Sequence, residues 1–378
     1  MNLSNLAIKK VKIPFKVNFK HSSATRSTTQ SIWIEAKSDK GMIGYGEGCP
    51  REYVTNESIE TAFRFFTENN ADVAVRVHDL EGVKSWVHVN KEKIDKNPAA
   101  WCAIELALLD LIAKEQQCAI ENLLGLTEIN SPFQYSAVLG DSDLDVFEKQ
   151  LNQYTAMGFT DLKIKISGDI EKDLPKFELL TKLENKKLRV RLDANNLWKE
   201  WQAAVSYLSL IHYPLFAIEE PLESGQYEGL KRISEARGIK IILDESFLKL
   251  EDFQKISGAA SDWIVNLRIS KMGGLLRSLD IAEKARSSGI KIIVGAQVGE
   301  TSLLTRSALT IANAFRDIVV AQEGAFGTLL LQSDVCEPPL MFGKKGLLEF
   351  KAEQEHGFQL QVFDDLYETG ILESADKL

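Results

Sequence analysis

The chain has 378 residues, more than one hydrophobic core ordinarily organises, so two domains are expected, although α/β barrels reach about 250 residues as one unit. An apolar fraction of 44% and a charged fraction of 26% belong to a soluble globular protein and exclude a disordered chain. The net charge of -9, with no basic stripe, excludes a nucleic-acid partner, because binding a polyanion takes clustered Lys and Arg to displace counterions.

Cys49, Cys102, Cys118 and Cys336 are widely spaced and form no CxxC pair, which points to reduced thiols rather than a zinc or redox centre. The N-terminal segment has no apolar stretch of signal-peptide length, and no window approaches the ~18 apolar residues of a membrane span. A cytoplasmic protein with no membrane partner is therefore expected. Assembly with further copies of itself stays open.

Residues 1 to about 60 alternate with the period of strands, and Ser31 to Ala36 and Gly41 to Gly46 read as a hairpin region. Helical patterns follow. Pro98 opens a strongly apolar helix running through Leu111, since proline suits the first helical turn and Ala and Leu favour the interior. Strands followed by helices, without alternation, describe an α+β unit over residues 1–130.

From 131 to 332 the pattern becomes short β-rich runs separated by amphipathic stretches, the signature of repeated β-α units around a parallel sheet. Eight strands are expected: Phe133 to Leu139, Asp161 to Ile166, Leu188 to Asp193, Leu215 to Glu220, Lys240 to Asp244, Trp263 to Leu267, Ile290 to Val294 and Asp317 to Ala321. Eight evenly spaced units predict an α/β fold of (β/α)8-type barrel with an α+β capping domain, rather than an open doubly wound sheet. Residues 333–378 are too short for a domain and are expected to pack back on the first one.

Barrels of this type place their chemistry at the carboxyl ends of the strands. Lys163 and Lys165 fall on the second strand, Asp193 ends the third, Glu219 and Glu220 end the fourth, Asp244 and Glu245 end the fifth, and Lys271 follows the sixth. The steps between Asp193, Glu219, Asp244 and Lys271 are 26, 25 and 27 residues, one β-α unit each, so the four side chains recur around one rim.

In Leu162-Lys163-Ile164-Lys165-Ile166 the period of two sends both lysines to one face. In a closed barrel that face is interior, where an ammonium group requires anionic partners, which Asp193, Glu219 and Asp244 can supply. On an exposed edge strand the same alternation would mean nothing. Three carboxylates from successive strands repel one another unless a cation joins them, and oxygen-only ligands suit a hard ion such as Mg2+. Read singly, Asp193 and Asp244 could instead cap the following helices. Lys271 opens Lys271-Met272-Gly273-Gly274, whose glycines allow a tight turn; alone, it would read as a solvated surface lysine.

The α-proton of a carboxylate is removed only if the developing enediolate is stabilised, as a bound cation can do, and only by a base free of its own proton. A lysine beside a cation and another lysine has its pKa lowered toward ~7 to 8, where an amine serves as general base.

Lys163-Ile164-Lys165, Asp193-Ala194-Asn195, Ile218-Glu219-Glu220-Pro221, Leu243-Asp244-Glu245-Ser246 and Lys271-Met272-Gly273-Gly274 together resemble the motif set of the muconate lactonizing enzyme subgroup of the enolase superfamily. Gly44-Tyr45-Gly46-Glu47 and the helix ending Ala107-Leu108-Leu109-Asp110-Leu111 are similar to that family's capping domain. The resemblance implies Mg2+ held by Asp193, Glu219 and Asp244. It implies Lys165 and Lys271 as acid and base on opposite faces of the substrate, and Lys163 on its carboxylate. Two opposed lysines suit epimerisation or racemisation, and the same pair serves cycloisomerisation or syn-elimination.

The loops Thr25-Arg26-Ser27 and Pro50 to Glu57 resemble those of dipeptide epimerases, which implies that Arg26 grips a distal substrate carboxylate. Where those enzymes carry an Asp-x-Asp that binds the free ammonium, this chain reads Gln322-Glu323-Gly324-Ala325-Phe326, so that clasp is absent or replaced by Glu323. That departure argues against a free-amine dipeptide; an N-acyl amino acid or another carboxylate would not need the clasp. Asn195, Gln297 and Glu323 are taken as further substrate contacts; Glu300 could contact substrate or cap the next helix. A different class of chemistry, a Schiff-base lyase on a barrel lysine, would be distinguished by borohydride trapping.

Overall fold

The computed structural model describes residues 1–21, 24–183 and 187–373. Strands Leu3–Val11, Ser31–Ser38 and Ile43–Gly48 form an antiparallel sheet, the last two as the expected hairpin. Leu372–Glu373, from the far end of the chain, pairs antiparallel with the outer side of Leu3–Val11.

One face of this sheet rests on the helix Pro98–Glu115, buried on all sides from Pro98 to Ala113. The contact requires glycine. A Cβ on Gly44, Gly46 or Gly48 would lie 2.2, 1.9 or 2.1 Å from the carbonyl oxygens of Ala107, Ala103 and Ala99. Two strand residues advance about 6.8 Å and four helical residues about 6 Å, so alternate glycines meet alanines four apart and the backbones touch along their length.

The start of that helix is completed from a distance. Asn97 makes no side-chain cap, and Glu57 instead accepts hydrogen bonds from Ala99 N at 2.9 Å and Ala100 N at 3.1 Å. A carboxylate at a helix N-terminus satisfies orphaned N–H groups and meets the positive end of the dipole. Glu57→Ala is expected to destabilise the protein by about 1 to 2 kcal/mol in denaturant unfolding. An unchanged midpoint would show that water replaces the carboxylate at no loss.

The eight parallel strands follow one another in chain order: Ala137–Leu139, Asp161–Lys165, Arg189–Asp193, Leu215–Glu219, Lys240–Leu243, Trp263–Leu267, Lys291–Val294 and Val319–Gln322. A backbone bond from Ser136 N to Gln322 O, 2.9 Å, joins the first strand to the eighth. The first strand is shorter than its sequence suggests. Phe133–Gln134 pairs antiparallel with Leu347–Leu348, and Tyr135 N donates to Gly346 O, so only Ala137–Leu139 remains for the barrel. The residue pattern shows that the segment is extended; it does not show that its backbone changes partner midway.

The barrel interior is divided. Ala217, Ile242, Ile264, Ile293 and Ala321 form an apolar cluster from the fourth to eighth strands. The second and third strands send in charged groups instead, Asp161, Lys163, Arg191 and Asp193, all buried. Among the described residues no helix is long and apolar enough to cross a membrane.

Candidate active site

The charged half of the interior opens at the carboxyl ends of the strands. Lys163 Nζ lies 3.1 Å from Asp193 Oδ2, 2.8 Å from Glu219 Oε2 and 3.2 Å from Glu323 Oε2. One turn of pleat further along, Lys165 Nζ donates to Asn195 Oδ1 at 3.0 Å and stands 3.7 Å from Asp193 Oδ2. Asp193 Oδ1 accepts from Asn195 N, and Asn195 and Asn196 both have left-handed backbone, which asparagine tolerates. Asp193 therefore closes its own turn and does not cap a helix.

The two glutamates that end the fourth strand divide the work. Glu219 points inward, while Glu220, with φ of 38°, turns toward the next strand. Its carboxylate accepts from Asp244 N, Ser246 N and Ser246 Oγ at 2.7, 2.7 and 2.8 Å, fixing the turn that presents Asp244. Asp244 is held in turn by Arg268 and by Lys271, whose Nζ donates to Asp244 Oδ1, Asp244 O and Asn266 O, each at 2.8 Å.

Lys271 is buried rather than solvated. It sits in a single helical turn, Ile269–Met272, stopped by Gly273 and Gly274 at φ of 81° and 105°. A Cβ on Gly274 would meet the Glu105 carboxylate at 2.3 Å. Glu105, from the buried capping helix, accepts from Leu276 N at 3.0 Å and so anchors the start of the helix after Lys271.

Beyond the seventh strand, Gln297 Oε1 accepts from Arg268 Nη1 at 3.0 Å, and the buried Nε2 of Gln297 has no partner. Glu300 Oε1 accepts from Gln297 N at 2.7 Å, and the cap of the next helix is Thr301. Arg26 donates to Gln30 Oε1 at 2.5 Å and lies over the Tyr53 ring. The fully buried Arg51 donates to Gln30 O at 3.0 Å and to Val298 O at 2.6 Å, tying that turn to the barrel loop carrying Gln297. Glu323 turns inward, with Oε1 accepting from Arg191 Nη2 at 2.8 Å.

Arg268, Asn266 and Arg191 are site residues that sequence reasoning missed. Asn266 Nδ2 donates to Glu219 Oε1 at 3.1 Å. The alternation that exposed the two lysines of the second strand is present again in Asn266-Leu267-Arg268 and Arg191-Leu192-Asp193, and would have found them.

Burial opposes every charge here, and the partners decide the outcome. For Lys163, the Asp193, Glu219 and Glu323 carboxylates outweigh desolvation and hold its pKa well above the usual lysine value. Lys271 moves the other way: burial, assisted by Arg268, lowers it against the pull of Asp244. Asp244 is held low because Arg268 and Lys271 overcome its burial. Glu219 is pushed up to about 8, by burial and by the crowding of Asp193, Glu323 and Asp244, against the attraction of Lys163.

Glu219 thus sits among carboxylates that its one close ammonium group does not fully offset. Among the described residues no three His, Cys, Asp or Glu side chains are drawn together closely enough to hold a metal ion directly. The carboxylates lean on internal cations, Lys163 for Asp193 and Glu219, Arg268 and Lys271 for Asp244. Glu219 accepts from Lys163 Nζ through Oε1 at 2.9 Å, and its buried Oε2, close to Lys163 without the alignment of a hydrogen bond, is left as an unpartnered acceptor. An oxygen-only set with one orphaned carboxylate oxygen fits a hard divalent cation.

Residues 146–357 match the family described as Enolase C-terminal domain-like, and residues 4–125 match the Mandelate racemase / muconate lactonizing enzyme, N-terminal domain. The chain is 26% identical to the hydrophobic dipeptide epimerase of Enterococcus faecalis, over 86% of this chain and 92% of that one. It is 22% identical to the N-succinyl-L-Arg/Lys racemase of Bacillus cereus, over 97% and 100%. Among solved structures, the E. faecalis dipeptide epimerase complexed with Mg and the dipeptide L-Leu-L-Tyr superposes with a TM-score of 0.83 at 24% identity, covering 96% of this chain and 100% of that one. The B. cereus N-succinyl Arg/Lys racemase gives 0.85 at 21%, covering 98% of each. Two family matches that together take in both the capping sheet and the strand-end carboxylates make this protein a member of the enolase superfamily, within its mandelate racemase / muconate lactonizing enzyme branch.

Proposed function

We propose that the protein is a Mg2+-dependent racemase or epimerase that removes and returns the α-proton of a carboxylate substrate through an enediolate, the substrate being an N-acyl amino acid or dipeptide. The observation that carries this reading is the order around the rim. Lys165 on the second strand contacts Asp193, Lys271 beyond the sixth contacts Asp244, and Glu219 lies between them, so two amines flank one run of carboxylates. The names and the Mg-bound structure of the relatives support it.

In this reading Asp193, Glu219 and Asp244 would hold Mg2+ in exchange for the internal cations they now lean on, and the ion would supply positive charge for the developing enediolate. Lys163, kept as an ammonium, neutralises the substrate carboxylate. Lys271 takes the proton of one stereoisomer and Lys165 that of the other, each returning a proton to the face opposite its partner. Arg26, Gln297 and Asn195 line the substrate side, and the unpartnered Gln297 Nε2 is a donor suited to an acyl or peptide oxygen. Glu323 bounds the site, but its carboxylate is committed to Lys163 and Arg191, which favours substrates without a free ammonium. The first domain, its sheet completed by Leu372–Glu373, forms the cap that supplies Arg26, and the barrel, against which Leu347–Leu348 pairs, supplies the chemistry.

Incubation of N-acyl amino acids and dipeptides with Mg2+ in D2O tests the reading by mass spectrometry of the α-carbon. Deuterium entering both stereoisomers is the expected result; a substrate turned over without exchange would refute it. The pH profile of exchange carries a second expectation. Since burial and Arg268 lower Lys271 below the ordinary lysine value of 10.5, exchange through it rises with pH along a limb centred below 10.5. A limb at or above 10.5 would show that Lys271 is not the base.

A further inference from the structure

We infer that Glu323, clamped by Arg191, is a positioning residue that gives the Lys163 ammonium somewhere to stand when a divalent cation enters the site. The inference rests on Asp193 and Glu219 being cation ligands.

Lys163 Nζ occupies the position between those two carboxylates, at 3.1 Å from Asp193 Oδ2 and 2.8 Å from Glu219 Oε2. It is the nearest cation to both, with Lys165 at 3.7 Å from Asp193 and Arg268 at 3.8 Å from Glu219. A metal ion bound by the same oxygens repels this ammonium, and in a buried pocket that repulsion is poorly screened. The lysine must keep a counter-charge that the metal does not take, or remain in competition with it.

Glu323 is that counter-charge. It reaches Lys163 from the end of the eighth strand, on the side away from the fifth strand and Asp244, at 3.2 Å. Its own place is fixed from within the barrel. Arg191, 1% exposed, donates through Nη2 to Glu323 Oε1 and through Nη1 to Asp161, which Arg189 also holds. A guanidinium spans two carboxylates in a rigid fork, so Glu323 cannot follow the metal and stays available to the lysine. The charges alternate from Arg189 through Asp161, Arg191, Glu323 and Lys163 to the ligand carboxylates, and only the last pair is exchanged when metal binds.

Calorimetric titration with Mg2+ of the wild type, Glu323→Gln, Lys163→Met and the double variant tests this, with thermal melting as the check on folding. Loss of the Glu323 charge is expected to weaken Mg2+ binding about tenfold, because Lys163 then depends wholly on the metal's ligands. In the Lys163→Met background the same change should have no effect, since no ammonium remains to be parked. Should Glu323→Gln fail to fold, Arg191→Lys replaces it, expected to give a smaller loss that likewise vanishes without Lys163. Equal affinity in wild type and Glu323→Gln, or a loss that persists beside Lys163→Met, overturns the inference while leaving the ligand set intact. A wild type that binds no Mg2+ overturns the ligand set itself.

Discussion

Lys271→Ala is expected to abolish net racemisation, lowering kcat by about 10² to 10⁴-fold, while one stereoisomer still exchanges its α-proton with D2O. The asymmetry follows from the geometry. Lys165 stays in place against Asn195 and Asp193 on the other side of the rim, and Asp244 keeps Arg268 as its partner, so the fold and half of the chemistry survive. Lys165→Ala should show the mirror image, with exchange confined to the opposite stereoisomer. Exchange in both stereoisomers of either variant would place the proton on some other base.

Asp244→Asn should weaken Mg2+ at least about 100-fold in calorimetric titration, beyond the 10 to 100-fold typical of losing a group that only supports a ligand. The substitution preserves size and leaves Glu220 able to hold the Asp244 and Ser246 backbone. What it removes is one negative charge of three. Affinity unchanged from wild type would exclude Asp244 from the ligand set. It would also identify the residue as a structural anchor for Lys271.

The residues that could be read from sequence share one property: each is a polar side chain at or near the carboxyl end of a strand in the repeating β-α pattern, where the period of two and the spacing of the units place it on one rim. Lys163, Lys165, Asp193, Glu219 and Asp244 are of this kind. Arg268 and Arg191 obey the same rule but lie beside stronger motifs that drew the reading away from them. Other features depend on partners far along the chain. Nothing in Phe133 to Leu139 reveals that Gly346 to Leu348 takes its first residues, and nothing in Gln322-Glu323-Gly324 reveals that Arg191 turns the glutamate inward. Likewise Glu57, a polar residue in a loop, becomes a helix cap only because folding brings Pro98–Glu115 beneath it.

The strand bearing Gly44, Gly46 and Gly48 reaches past its helix to the catalytic side, where Glu47 accepts from Thr301 N and Oγ1 and Cys49 N donates to Ser270 Oγ. Ser270 precedes Lys271, and Glu105 on the helix buttresses the turn that follows it. Any tilt of the cap would therefore be passed directly to Lys271 and loosen its hold on Asp244 and Asn266.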